Sequence, residues 1–408
     1  MLNEPQVIVF AWELGDNWGH LAKDLAVARR LRTAGHTVRF IVRDCRLAAQ
    51  LLGPDGFEFA PAPLPLQPAR LAQPPVSYAE LLLANGYVDV DELHGLVVGW
   101  GHLFALLRAA VIVIDHAPTA LLAARCIGLQ AILLGNGFEI PPSAVPLPSI
   151  RPWESIGLER LQLPERTVLA RVNGELERFR QPPLPQLAAL WGDVPALLTT
   201  FAELDHYGAR AVAHYIGPIA ALPVLALVQW QATSIPRKKI VAYLRPSMKG
   251  IESLLAALAQ MSDDCLCVIP GMPPAWRGKY IGNPNLQFVD EAVHLWPLLA
   301  SADLMISYGG SNTMAQALLA GVPLLIVPQT VEQYLGGRKI LALAAGMVAI
   351  QPHEAADFKR VMEQMLGDEA YREKAGAFAQ RYSRYDEAEA IDTAATKIAQ
   401  LISAAEIA

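Results

Sequence analysis

LMISYGGSNTMAQALLAGVPLLIVPQTVEQYLGGRKI, Leu304 to Ile340, runs from a buried strand through a glycine turn into a helix and out to a second strand. The first strand ends at Ser307, and Tyr308-Gly309-Gly310-Ser311-Asn312-Thr313 leads directly into the helix. Gly309 and Gly310 allow the backbone to approach a ligand closely. The next N–H groups and the positive end of the helix dipole then point at whatever sits there. Ser311 and Thr313 add hydroxyl donors, so a diphosphate fits the turn without a metal. A plainer reading is a tight strand-to-helix turn capped by Ser311 or Asn312. Gly321-Val322-Pro323 closes the helix, and the following strand ends near Pro328. Glu332, Gln333 and Arg338 come just past that end, where polar side chains can reach sugar hydroxyls.

Working outward, the same alternation continues on both sides. Lys239 to Leu244 reads as a strand, followed by a helix through Leu254, Leu255 and Leu258. Cys265 to Ile269, Leu286 to Val289 and Leu324 to Val327 supply further strands, and the chain is helical and Ala-rich from Asp357 onward. In the first half, Gln6 to Phe10 is a buried strand, Ala11 to Gly19 a loop, and Leu21, Leu25, Ala28 and Leu31 share one helix face. Thr37 to Val42 completes a βαβ unit, and such crossovers build parallel sheets. Val111 to Ile114, Pro118 to Ile127 and Gln130 to Leu134 repeat the pattern, and PALLTTFAEL carries a late strand. The Pro-rich stretches Gly53 to Ser77 and Pro141 to Pro152 read as ordered loops or short helices. The expected organisation is an N-terminal Rossmann-like domain over 1–218, a linker over 219–236 and a C-terminal Rossmann-like domain over 237–408. The last helix is free to pack back on the first domain.

The chain has 408 residues, 53% of them hydrophobic and 18% charged, which suits two full-sized cores. A formal net charge of -6 argues against nucleic acid as the main partner, since phosphate backbones are met by clustered Lys and Arg. MLNEPQ passes straight into VIVFAW with no leader-like segment. The apolar stretch Ile219 to Val228 is interrupted by Pro223 and falls short of the roughly 18 residues of a membrane span. Cys265 and Cys267 lack a partner pair for zinc, and the cysteines read as reduced core thiols. A cytoplasmic location is expected.

YGGSNTMAQALLAGVPLLIVPQTVEQ resembles the donor-site signature of the UDP-glycosyltransferase/MurG-like superfamily, and the resemblance extends over nearly the whole chain. The usual form runs His-Gly-Gly-x-Gly-Thr, then Glu-Ala, Gly-Val-Pro, Pro and Asp-Gln. The resemblance implies an α/β chain of the GT-B fold, two facing Rossmann-like domains with an interdomain cleft. It places a donor diphosphate on the turn Tyr308, Gly309, Gly310, Ser311, Asn312 and Thr313. It places the donor sugar at Glu332 and Gln333, and the base at Phe288 to Val293, with Val289 among them. Tyr308, Asn312, Gln316 and Glu332 stand where the pattern has His, Gly, Glu and Asp. Arg245 and Ser247, with Lys249, could approach the phosphates from the other side; an ordinary helix N-cap at Ser247 is the alternative. The donor is expected to be UDP- or dTDP-linked.

AWELGDNWGH, Ala11 to His20, gathers Glu13, Asp16, Asn17, Trp18 and His20 at the end of the first strand. Open α/β sheets bind ligands beyond the carboxyl ends of their strands. Glycosyl transfer needs a base for the acceptor's proton, and histidine suits neutral pH. Gly-His at this helix start is also where the resembled superfamily carries its base, often oriented by an Asp at a later strand end, here Asp115. Asp16 and Glu13 are alternative bases. Trp18, His116, Phe138 and Glu139, with Glu13, are candidate acceptor contacts. Leu64, Leu66, Leu71, Trp100 and Phe104 suggest a hydrophobic or aromatic small molecule, or else ordinary packing of insertions. No His/Cys cluster or Asp-x-Asp pair appears, so neither metal nor cofactor is expected beside the nucleotide-sugar. The resulting expectation is an inverting, metal-independent glycosyltransferase. A nucleotide-sugar 2-epimerase and a catalytically inactive nucleotide-sugar-binding partner protein are the alternatives.

Overall fold

The computed structural model describes residues 7–15, 18–220, 225–231, 236–350 and 354–405. The chain divides into two compact units, Met1–Pro223 with Asp386–Ala408, and Val224–Tyr385. Parts of the expected linker, 221–224 and 232–235, lie outside the described residues.

The first unit is built on a parallel sheet of β1 (Val7–Trp12), β2 (Thr37–Val42), β3 (Glu58–Pro61), β4 (Ala109–Asp115), β5 (Gln130–Gly135) and β6 (Ala196–Leu198). The strand order is β3-β2-β1-β4-β5-β6. VIVFAW in β1 is buried along its whole length, as expected of a strand covered by helices on both faces. Pro118 opens the helix Pro118–Ile127, where its missing N–H costs nothing, and Gly128 closes it at φ 72°. From β1 the chain steps to β2 and β3 on one side, then returns to β4 on the other. The order therefore reverses between β1 and β4, and their adjoining ends, Trp12 and Asp115, lie in register.

The second unit repeats this plan with β7 (Lys239–Tyr243), β8 (Asp264–Val268), β9 (Leu286–Val289), β10 (Leu304–Ser307), β11 (Leu324–Ile326) and β12 (Gly346–Val348). Their order is β12-β11-β10-β7-β8-β9, and the reversal falls between β7 and β10, with Tyr243 opposite Ser307.

Two strands depart from the sequence reading. β3 occupies the start of the stretch read as loop, and β12 was not anticipated. Both are short edge strands, and an edge tolerates Pro61 because one side of its backbone needs no ladder partner. Trp100 and Phe104 are fully buried on the helix Val90–Leu106 and serve the core rather than a ligand.

The last helix, Glu387–Ala405, belongs to the first unit and packs against the helix Trp18–Thr33 and against β4 and β5. Ala394, Ile398 and Ile402 form its buried stripe, and Arg30 donates to Asp392 at the rim. Ile398→Ala should lower the unfolding free energy of the first unit by about 2–5 kcal/mol, the usual cost of emptying a fully buried aliphatic site. Chemical denaturation followed by fluorescence checks this, and an unchanged transition would mean the helix is not docked.

Candidate active site

At the reversal point of the first sheet, the start of the helix Trp18–Thr33 meets the end of β4. His20 Nδ1 lies 2.9 Å and 3.0 Å from the two oxygens of Asp115. Asp115 is fully buried. Burial alone would raise its pKa, but His20 and Lys23 outweigh it and hold the carboxyl well below the ordinary range. Burial also opposes charge on His20, yet the Asp115 carboxylate overrides it and lifts the ring to about 9. The Trp12 indole stacks on the imidazole, with ring centres 5.6 Å apart.

A carboxylate accepting from Nδ1 fixes the tautomer and leaves Nε2 to take a proton. Gly15 (φ +86°) makes room for that nitrogen, since a Cβ there would lie 2.6 Å from His20 Nε2. Asp16 and Asn17, in the same loop, lie outside the described residues. Trp18 is partly exposed beside them.

Asp115 is available to His20 because another residue caps the next helix. Ala117 makes no side-chain cap at the start of Pro118–Ile127. Glu13, from the end of β1, supplies it instead, its Oε2 accepting from Thr119 N at 2.8 Å and Ala120 N at 3.4 Å. Glu13 is fully buried and its Oε1 has no hydrogen-bond partner. This corrects the sequence expectation: it faces the core and cannot serve as an acceptor contact or as the base.

His116 follows Asp115 with φ 45°, an unusual conformation for a side-chain-bearing residue of the kind that gathers at functional sites. Burial, reinforced by the charge on His20, pushes its pKa down to about 3, so the ring is neutral. His116 lies among the rings of His20, Tyr78 and Phe138, at 5.9, 6.1 and 6.2 Å between centres. Phe138 is itself buried, stacked on Tyr207. Glu139 accepts from Asn136 N through Oε2, and its Oε1 comes within 3.9 Å of His20 Nδ1. Among the described residues, His20, His116 and Glu139 form one group of three possible metal ligands, with donor atoms within 4.8 Å of one another. A tetrahedral zinc site, with bonds of about 2.0–2.1 Å, would need its ligands drawn to about 3.4 Å.

At this site, two buried charged residues were missed from sequence, Lys23 and Asp24. Lys23 Nζ pairs with Asp115 Oδ1 at 2.9 Å and donates to Leu134 O at 2.6 Å. The signal was available in His20-x-x-Lys23-Asp24, three polar residues at helical spacing on one face.

In the second unit, the turn after β10 has the shape the sequence suggested. Gly309 (φ +93°) is obligatory, since a Cβ there would press on Gln333 O and Ile326 at 3.1 Å. Its N–H donates to Ser307 Oγ. The helix Ser311–Leu319 starts from Gly310 as N-cap with no side-chain capping bond, which removes Ser311 and Asn312 as ordinary caps. Thr313 is buried in the first turn, and Tyr308 is buried with the Arg245 guanidinium 4.4 Å above its ring. Arg245 and the exposed Ser247 lie in the loop after β7, and the next helix begins only at Ile251, so Ser247 is not its cap. Gln333 uses its side-chain oxygen in a capping box for the helix Val331–Ala342, accepting from Thr330 N at 3.3 Å and also from Gln329 N at 2.8 Å. Glu332 is partly exposed beside it, and Val289 ends β9.

Residues 275–393 match the family model described as Erythromycin biosynthesis protein CIII-like, C-terminal domain. A PGL/p-HBAD biosynthesis glycosyltransferase of Mycobacterium tuberculosis is 24% identical over 402 residues, covering 92% of this chain and 89% of that protein. The calicheamicin glycosyltransferase CalG4 superposes with a TM-score of 0.68 at 18% identity, covering 96% of this chain and 97% of that one. The spinosyn rhamnosyltransferase SpnG, solved with thymidine diphosphate, gives a TM-score of 0.64 at 17% identity over 95% and 99% of the two chains. The two parallel sheets have the GT-B architecture of these structures. The chain is similar to GT-B glycosyltransferases over nearly its whole length. No helix among the described residues is long and apolar enough to cross a membrane.

Burial pushes the Glu13 carboxyl from 4.5 to about 7. The folded state then holds a proton that the unfolded chain releases, so stability is lost as pH rises from about 4.5 through 7. Relative to Glu13→Gln, the wild-type protein should lose up to roughly 3 kcal/mol across that window. Melting curves at pH 5 and pH 8 should show the gap between the two proteins shifting in favour of the variant. A pH-independent gap would mean that Glu13 is ionised throughout.

Proposed function

We propose that the protein is an inverting, metal-independent glycosyltransferase in which His20 is the general base and Asp115 its orienting partner. The observation that carries this reading is the buried His20–Asp115 pair at the reversal point of the first sheet, with Gly15 making room beside Nε2. The acceptor gives its proton to Nε2 as its oxygen attacks the anomeric carbon, and the imidazolium that forms is stabilised by Asp115. Attack on the face opposite the departing diphosphate inverts the centre in one step.

The donor is a nucleoside diphosphate sugar, UDP- or dTDP-linked, held at the turn from Tyr308 to Thr313. N–H groups at the start of the helix Ser311–Leu319, whose N-cap is Gly310, stabilise the diphosphate as its charge develops, the task a metal performs elsewhere. Arg245, seated on Tyr308, adds a positive charge beside that turn. Glu332 meets the sugar, while the base lies near Val289. Gln333, whose side-chain oxygen is engaged in the cap, offers its amide nitrogen. The acceptor is a small molecule with an apolar or aromatic body, in keeping with Trp18 and the rings around His116. SpnG has been solved with spinosyn aglycone.

Gly310 has ordinary backbone angles, and a Cβ there would only touch the Tyr308 ring at 3.5 Å. Gly310→Val should therefore fold normally yet abolish UDP and dTDP binding by calorimetry, because the added methyls fill the space above the helix start. Unchanged affinity would move the diphosphate elsewhere.

His20→Ala should cut turnover by about 10²–10⁴-fold with little change in donor affinity. In the wild-type enzyme the ring carries its proton at neutral pH, so kcat/KM should climb with pH toward about 9. Asp115→Asn should do less damage and shift the climb to lower pH. An α-linked gluco-configured donor should give a β-glycoside, read from the anomeric coupling, and EDTA should leave the rate intact. Retention of configuration, or loss of activity in EDTA reversed by magnesium, would overturn the mechanism.

A further inference from the structure

Lys23 takes no part in the transfer step described above, yet it is buried, and lysine is almost never buried unless paired. Its ammonium lies 2.9 Å from Asp115 Oδ1, the same oxygen that His20 Nδ1 approaches at 2.9 Å. A second bond runs to Leu134 O on β5 at 2.6 Å, and Asp24 stands 3.9 Å away. One helix face thus carries the base and a cation that share a single carboxylate oxygen.

The groups facing His20 are few. Asp115 and His116 come from the end of β4, Glu139 from the segment after β5, and Lys23 and Asp24 from its own helix. His116 is neutral, and burial beside Asp115 keeps the Asp24 carboxyl well above its usual range. Lys23 is therefore the nearby positive charge acting against protonation of His20. A buried aspartate without it would hold the imidazole proton harder still.

We propose that Lys23 is a positioning residue for the base, holding Asp115 in place while its charge offsets part of that carboxylate's pull on the His20 proton. His20 then releases its proton at lower pH than an isolated His–Asp pair would. The proposal rests on the reading of His20 as the base, but its central claim, the coupling of Lys23 to His20, is measurable without turnover.

The test is an NMR titration of the His20 ring in full-length protein carrying labelled histidine. Lys23→Gln removes the charge while keeping an amide donor for Leu134 O, so it holds the fold where Lys23→Met would loosen it. Either variant should move the His20 midpoint upward by roughly one to two pH units. Lys23→Arg should return it toward the wild-type value. The rising limb of kcat/KM should move with the midpoint, leaving donor KM unaltered. A lysine that merely plugs the structure would lower the melting temperature and leave the His20 midpoint in place, and that outcome overturns the proposal. A midpoint that moves while the rate profile stays fixed supports the coupling and sinks His20 as the base instead.

Discussion

The first unit depends on one buried carboxylate. Asp115 ends β4 with no solvent contact, and an ion in that position is tolerated only when paired and hydrogen-bonded. His20 and Lys23 meet that demand together, one turn apart on the same helix. Their pairing with the strand end sets how the first helix docks on the sheet. The electrostatic need of a single side chain thereby aligns the first helix, the β1 loop and the end of β4.

That arrangement has a cost elsewhere. A carboxylate just ahead of Pro118–Ile127 would ordinarily cap that helix, but Asp115 is committed to the histidine. Glu13 provides the cap from the neighbouring strand end, and burial leaves it with a pKa near neutrality. The left-handed backbone at His116 belongs to the same compromise, since the chain must turn sharply there to present Asp115 to one side and enter the helix on the other. Unfavourable local choices of this kind persist where the surrounding structure over-determines them.

The second unit reaches a related end by different means. Its turn relies on backbone rather than on buried charge: a positive φ at Gly309, a helix start with glycine as N-cap, and a cation stacked on an aromatic ring. Both sites lie where strand order reverses, because only there do two adjacent loops leave the sheet in opposite directions and open a gap for a ligand.

Much of this was legible in the residues alone. Strand, turn and helix in Leu304–Ser307 and Pro118–Ile127 follow from local pattern, proline placement and glycine, all of which act within a few residues. His20 and Asp115 could be paired as strand-end residues of one sheet, and the structure brings them together. Tertiary structure alone decided which polar residues would be buried. Lys23 and Asp24 were not singled out from the sequence, and Glu13 read as a loop residue open to ligand. Their burial comes from partners about ninety to one hundred and ten residues away, on β4, β5 and the helix after β4. Edge strands β3 and β12, and the return of the last helix to the first unit, are likewise set by neighbours rather than by their own composition. Local sequence specifies backbone conformation because sterics and hydrogen bonding are short-ranged. The state of a buried charge depends on everything folded around it, which no local pattern contains.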